Sequence, residues 1–274
     1  MNIQILDGKS FTEVNASLEY YERLRALLKI KRVVGKNFVR VGRHHDGGYL
    51  MVDNFAGSVA YSFGISNDVS WDTDIARRGY EVFMYDPTID DLPARDAKFH
   101  FFREGIAGVE MRDRNLNTLE NFIRRNGHEH ADNMILKMDV EGAEWSFLST
   151  VAPETLSRFD QLVFEFHFLT EPKNQSEMNA TLACVKKINQ THSLVHLHAN
   201  NFAPFMIVEE KILIPNLLEL TYVKTSNYEL ADDEDIYLPR DEDEPNNQYK
   251  LEIPLGYWNR RFNNVITPIK SNVS

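Results

Sequence analysis

The stretch Tyr61–Pro87, YSFGISNDVSWDTDIARRGYEVFMYDP, decides how the chain is read. An apolar strand runs into a loop at Gly64-Ile65-Ser66-Asn67-Asp68. A helix of amphipathic spacing follows and ends at Gly79. A second apolar run, YEVFMYD, closes on Asp86, and Pro87 stops it. Strand, glycine loop, helix, strand is the plan of a nucleotide-binding β-α-β unit. The loop carries one glycine, whereas folds that cradle a pyrophosphate space several glycines closely so that the backbone can approach the phosphates. Asp68 would repel a pyrophosphate and suit a ligand with an ammonium or sulfonium centre. Asp86 stands about 20 residues beyond the glycine, where a ribose-binding carboxylate is usual. The same side chain could instead cap the turn before Pro87. Two hydroxyls and a positive centre without a phosphate describe S-adenosylmethionine better than a nicotinamide dinucleotide.

Outward from this unit the alternation continues. Towards the N-terminus, Phe11–Lys31 has the apolar spacing of a helix, with Leu18, Tyr21, Leu24, Leu28 and Ile30 mostly on one face. FVRVGRHHDGGYLMV (38–52) reads as two short strands around an Asp46-Gly47-Gly48 turn. Towards the C-terminus, strands are predicted at KFHFF, NMILKMD, QLVFEFHFL, HSLVHLHANN and NLLELTYVKTS. Helices are predicted at NTLENFIRRNG, GAEWSFLSTV and SEMNATLACVKKINQ. Within the first β-α-β unit, Ser70 reads as the helix N-cap and Gly79 as its C-terminal stop. The pattern predicts an α/β fold with a doubly wound, mainly parallel sheet. It divides into an N-terminal helix and hairpin extension (1–57), a core (58–228), and an acidic extended segment (229–274) packed on that core. The run ELADDEDIYLPRDEDEPNNQYK within the last part is assigned no chemistry.

The element LKMDVEGAEWSFL (136–148), followed by LVFEFHF (162–168), resembles the FkbM-type S-adenosylmethionine-dependent methyltransferases, as do RVGRHHDGGYLM and HLHANN. The resemblance covers roughly residues 39–224, and Asp-Val-Glu-Gly-Ala-Glu is its most specific part. It implies a class I methyltransferase fold of seven strands, the last antiparallel, and O-methylation of a sugar, glycoconjugate or small metabolite. The glycine loop departs from the usual Gly-x-x-x-Gly: Asp68 takes the second glycine position. Cofactor contacts are expected from Arg43, Gly47, Gly48 and Tyr49, from Gly64, Ile65, Asn67 and Asp68, and from Asp86, Gly105, Ile106 and Asp139. Arg43 would pair the methionine carboxylate.

Methyl transfer to a hydroxyl needs close approach and removal of a proton. The polar groups at strand ends are Asp139 and Glu141, Glu165 and His167, and His196 and His198. Asp139, Glu165, His167 and His198 are the expected catalytic groups, with His167 the simplest general base. Asp139, Glu165 and His167 could alternatively hold magnesium or manganese. His196 is read as a structural histidine, Glu144 as a helix-dipole partner, and Trp145, Phe164, Phe166 and Phe168 as core. Acceptor pockets are expected from LTEPKNQSEM, NNFAPFMIVEEK and the acidic segment.

A net charge of −11 argues against a nucleic-acid partner. Cys184 is the only cysteine, so an intramolecular disulfide or a cysteine-based zinc site is excluded, and it reads as core. MNIQILDGKSFTEVN lacks the pattern of a signal peptide, and no run is long enough to span a membrane. A cytoplasmic monomer or homodimer is the expectation. Asn-x-Ser/Thr triplets at Asn15, Asn174, Asn179, Asn189 and Asn272 pull weakly towards a secretory setting. Two other functions remain open: a nucleotide-sugar or NAD-linked oxidoreductase, and a non-catalytic binding domain.

Overall fold

The computed structural model describes residues 17–208 and 212–260. Seven strands form the central sheet: β1 (Val59–Phe63), β2 (Glu81–Tyr85), β3 (Phe99–Phe102), β4 (Met134–Met138), β5 (Phe159–Phe166), β6 (His192–Ala199) and β7 (Leu218–Lys224). Their spatial order is β6-β7-β5-β4-β1-β2-β3. β7 runs antiparallel to both β5 and β6, and the pairs among β1 to β5 are parallel. The order reverses between β1 and β4, which puts the ligand-binding crevice outside their carboxyl ends.

The central strands are buried on both faces, as a sheet covered by helices requires. Alternate residues divide between two cores. Tyr61, Phe63, Tyr85 and Leu136 face the side packed by α1 (Ser17–Leu27), α3 (Leu119–Arg125), α4 (Ala143–Thr150), α5 (Pro153–Leu156) and α6 (Gln175–Ile188). Ala60, Val82, Met84 and Ile135 face α2 (Ser70–Arg77) and a hairpin, Phe38–Val41 with Tyr49–Val52. Phe63 stacks on Tyr85 and Tyr85 on Phe102, both at 5.0 Å between ring centres. Such pairs add about 0.5–1.5 kcal/mol each beyond area burial. Cys184 is buried, as read from the sequence.

Several local expectations are corrected. The first helix ends at Leu27, and Lys31–Val33 instead pairs antiparallel with Leu230–Asp232; residues 11–16 of the expected helix lie outside the described residues. Ser70 is the first helical residue of α2, not its cap. Its backbone N–H donates to Asp68 Oδ1 (3.0 Å) and its hydroxyl to Asp68 Oδ2 (2.9 Å). Phe168 lies beyond β5 at φ +61° and is 46 % exposed, so it is not core. Phe205–Val208 and Ile212–Pro215 form a hairpin that the sequence did not suggest.

The hairpin at 38–52 is docked by side chains. Gln161 Nε2 donates to Val52 O and Gln161 Oε1 accepts from Val52 N, at 2.9 and 3.0 Å. Thr221 Oγ1 donates to Leu50 O at 2.6 Å. The acidic segment wraps the sheet end, but it is less solvated than its charge run suggests. Asp243 Oδ1 lies 2.9 Å from His196 Nε2, and both groups are buried. The Asn201 side chain bonds the Asn247 backbone twice, its Nδ2 donating to Asn247 O and its Oδ1 accepting from Asn247 N, and Trp258 Nε1 donates to Leu28 O.

Burial alone would raise the Asp243 carboxyl, but the charge and proximity of His196 dominate and hold it down at about 2. A depressed carboxylate contributes stability that is fully present above its unfolded value near 3.8 and is lost as pH falls through about 2. Asp243→Asn should therefore cost about 2–4 kcal/mol at neutral pH. The variant's unfolding free energy should also fall less steeply between pH 4 and pH 2, which urea titration at both pH values would read. Equal slopes would show that the pair is not charged in the fold.

Candidate active site

Gly64 ends β1 at φ +79°, and a Cβ placed on it would lie 1.6 Å from the carbonyl oxygen of Asp139. No side chain fits there, so this one glycine serves strand-to-strand approach rather than a phosphate. Lys137, buried on β4, donates Nζ to Gly64 O at 2.7 Å. Asp86 Oδ2 accepts from the N–H groups of Ile65 (2.9 Å) and Ser66 (2.8 Å), and its Oδ1 from Thr88 N and Thr88 Oγ1. Burial pushes the Asp86 carboxyl up, but the donors from Ser66, Thr88 and Ile65 outweigh it and hold the group below its ordinary value.

A cavity of about 520 Å³ opens over this loop. Gly64, Ile65, Asn67 and Asp68 form one wall and Asp86, Gly105 and Ile106 another. Arg43, Gly47 and Tyr49 reach in from the hairpin, and Asp139 closes the end of β4. Gly48 alone of the expected cofactor group is not in the lining; a Cβ there would strike Arg43 O at 1.9 Å, so its role is to fold the hairpin loop. Arg43 Nε sits 3.2 Å from Asp68 Oδ2, so the loop carboxylate both accepts from the first N–H of α2 and pairs with a guanidinium. Lys137, Asp72, Trp71 and Thr88 also line the cavity, and of these Asp72, Trp71 and Thr88 were not singled out from the sequence. A charged residue in the middle of an apolar strand was the available signal for Lys137.

A second cavity of about 460 Å³ adjoins the first. The two share Asp46, Asp139, Glu141 and Glu165. His167, Phe168, Asn200, Phe202 and Pro204 complete its walls, so part of the NNFAPFMIVEEK loop lies where an acceptor pocket was expected. No residue of LTEPKNQSEM (169–178) and none of the acidic segment is in its lining.

His167 stands at the junction. Its Nε2 lies 3.4 Å from Glu141 Oε2 and 3.8 Å from both Asp139 Oδ1 and Glu165 Oε2. Its Nδ1 lies 3.0 Å from Glu144 Oε1, which also accepts from Val140 N at 2.9 Å. Trp145 Nε1 donates to the His167 carbonyl at 2.8 Å. Glu144 is fully buried, so the dipole role read from the sequence is incomplete: this carboxylate orients the imidazole. Burial lowers the imidazole's pKa, but the Glu144 hydrogen bond and the charges of Glu144, Asp139 and Glu141 outweigh it and raise it. Asp139 is raised to about 6, first by burial, with Glu141 and Glu144 adding and Lys137 and His167 opposing. Glu165 is raised well above the carboxylate range by burial and by Asp139 and Glu219, while its Oε1 accepts from Tyr49 Oη at 2.8 Å.

Two expectations fail here. His198 does not reach either cavity: Glu219 Oε2 (3.1 Å) and Glu252 Oε1 (3.2 Å) take its two ring nitrogens. Burial lowers its pKa, yet those two carboxylates raise it to about 10, so it serves as a structural cation. The proposed metal set is also not the one the fold gathers. Among the described residues the ligand atoms within 4.8 Å of one another belong to Asp139, Glu144 and His167, without Glu165. Glu144 is already bonded to the imidazole and to Val140 N, so a magnesium or manganese site is not supported.

Residues 51–202 match the family model of the methyltransferase FkbM domain. The chain belongs to the FkbM methyltransferase family. Its DVEGAE element (139–144) supplies Asp139, Glu141 and Glu144 around His167. No curated protein matches the sequence. Among solved structures, a candidate hemolysin from Lactococcus lactis overlaps at 13% identity and TM-score 0.35, covering 62% of this chain and 79% of that one. One from Streptococcus thermophilus overlaps at 13% identity and TM-score 0.35, covering 63% and 61%. The mitomycin 7-O-methyltransferase MmcR overlaps at 7% identity and TM-score 0.25, covering 77% and 54%. At these TM-scores none bears on what this chain does. No helix among the described residues is long and apolar enough to cross a membrane.

If Glu144 holds the imidazole's charge, Glu144→Gln should lower the His167 titration midpoint by about 1–2 in pH, the equivalent of one charge-assisted hydrogen bond. The His167 ring proton, followed by NMR across pH 5–9 in both proteins, reads this directly. An unchanged midpoint would remove Glu144 from the site.

Proposed function

We propose that the chain is an S-adenosylmethionine-dependent O-methyltransferase whose acceptor is a hydroxyl of a sugar, glycoconjugate or small metabolite. The observation that carries this is the meeting of two cavities at Asp139, Glu141 and Glu165, beside His167 Nε2. The first cavity suits the cofactor. Seven carboxyl groups line it (Asp46, Asp68, Asp72, Asp86, Asp139, Glu141 and Glu165), several holding their protons more tightly than usual, against two cations, Arg43 and Lys137, which disfavours a pyrophosphate and suits a sulfonium. Asp86 would hold the ribose. Four donors already occupy its acceptor positions, and of these only the Thr88 hydroxyl can rotate away. Arg43 and Asp68 would hold the amino-acid end, the guanidinium exchanging one carboxylate partner for another.

The cofactor supplies an electrophilic methyl group already activated by its positive sulfur. What remains for the protein is orientation and one proton. His167 Nε2 accepts no hydrogen bond from a described residue and opens towards the shared wall of the cavities. Nδ1, facing Glu144, keeps its proton, so the neutral imidazole presents Nε2 as the base. As the hydroxyl loses its proton the imidazolium formed is stabilised by Glu144, Asp139 and Glu141. Phe168 and Phe202 at the mouth restrict water.

Calorimetry should show binding of S-adenosylmethionine and S-adenosylhomocysteine but not of NAD or NADP. Asp86→Ala should weaken the former by roughly 10- to 150-fold. Binding of NAD instead, or wild-type cofactor affinity in the variant, contradicts the assignment.

His167→Asn should melt like the wild type and lower turnover by about 10²–10⁴. Because the base must be neutral and its pKa is raised, the acid limb of the wild-type rate should have its midpoint above 6.5. A methyl-transfer rate in the variant close to wild type would exclude the role.

A further inference from the structure

The second cavity has a charge pattern that the methyl-transfer chemistry does not require. Its wall carries Asp46, Asp139, Glu141 and Glu165 and no lysine or arginine. The nearby cations are already engaged: Arg43 with Asp68 and Asp46, Lys137 with Gly64 O, and Lys250, outside the lining, with Phe202 O at 3.1 Å and 5.9 Å from the Phe202 ring. The one basic group in the wall is His167, itself faced by Glu144. Glu219 adds further negative charge behind Asp46 and Glu165.

Two groups in this wall each keep one polar atom without a hydrogen bond with a described residue. Glu165 is 4% exposed; its Oε1 takes the Tyr49 hydroxyl, and no described residue donates to its Oε2. Asn200 is 2% exposed; its Oδ1 takes Phe202 N, and its amide nitrogen donates to no described residue. Glu165 Oε2, which faces His167 Nε2 at 3.8 Å, and the Asn200 amide nitrogen thus offer one acceptor and one donor from the same wall to a ligand. At the mouth, Phe168 and Phe202 are 46% and 51% exposed, large for phenylalanine side chains in a cavity wall. Aromatic faces beside carboxylates attract ammonium groups and repel anions.

We propose that the second cavity binds the acceptor through a protonated amine, so that the methylated molecule is an amine-bearing alcohol, such as an amino sugar or amino alcohol, and not a phosphorylated or carboxylated one. The ammonium lies among Glu165, Glu141 and the two phenylalanines, and Asn200 donates to an acceptor oxygen. The inference rests on the methyltransferase reading for what the cavity is used for, though not for the charge preference itself.

The test uses three probes of one shape and different charge: 2-phenylethylamine, 2-phenylethanol and phenylacetate. Each is titrated by ligand-observed NMR against the whole protein, with and without S-adenosylhomocysteine, at pH 7.5. The amine should bind at least about tenfold more tightly than phenylacetate and more tightly than the alcohol, with an advantage that shrinks in high salt. Phe202→Ala and Glu141→Gln, both at exposed side chains, should each weaken the amine several-fold and leave the melting temperature unchanged. Equal or tighter binding of phenylacetate, no binding of the amine, or amine binding indifferent to both substitutions would overturn the proposal. Failure of S-adenosylhomocysteine to bind, with the amine preference intact, would instead strike at the methyltransferase reading alone.

Discussion

The site depends on the contact between Gly64 and the carbonyl of Asp139. A Cβ at Gly64 would sit 1.6 Å from that oxygen, so the carboxyl ends of β1 and β4 meet at a distance only glycine permits. Three further bonds hold the meeting in register. Asp139 N donates to Phe63 O, Gly64 N to Tyr85 O, and Lys137 Nζ to Gly64 O. The tips of β1, β2 and β4 thereby become one rigid edge. Asp86 then fixes the loop above that edge through two backbone amides. Both cavities inherit their shape from it, and Asp139 reaches them from its centre.

From that edge the charge distribution follows. Asp139, Glu141, Glu144 and Glu165 all approach one imidazole, and the fold keeps them there although burial opposes the charges of Asp139 and Glu165. Asp139 and Glu165 respond by holding their protons more tightly. Such an arrangement costs stability unless a positive group arrives, and strain of this kind concentrates at functional sites. The family match covers the residues that build it.

Much of the fold was legible because its signals are local. Alternating strands and helices, the Gly64 loop and Asp86 at a strand end follow from apolar periodicity and breakers. The lining of the first cavity was equally legible, since its residues cluster at the ends of neighbouring strands; Gly48 was the exception because the closed hairpin loop turns it against Arg43 O. What escaped was set by distant partners. His198 has the spacing of a site residue, but its partners Glu219 and Glu252 are 21 and 54 positions away. Glu144 has the position of a dipole partner, but the imidazole it orients is 23 positions on. Phe168 continues the alternation of β5, yet the backbone turns to φ +61° there and delivers the ring to the cavity mouth. Pattern gives a residue's face while its element persists and is silent once the element ends.

The segment at 229–260 ties the two ends of this architecture together. Glu244 accepts from His45 N and lies 2.8 Å from His44 Nδ1, on the loop that carries Arg43. Asn246 donates to Glu219 on β7, and Asp243 faces His196 on β6. During synthesis, the first hairpin emerges some 200 residues before the chain that will brace it. The hairpin loop that carries Arg43 can therefore pair its strands early but is locked only once the segment around Glu244 has been made. A nascent chain halted before this segment would hold a sheet and an open loop, with buried histidines still lacking their acids. Completion of the site is thus coupled to the synthesis of this bracing segment, and a chain that has not reached it holds the walls of both cavities without their brace.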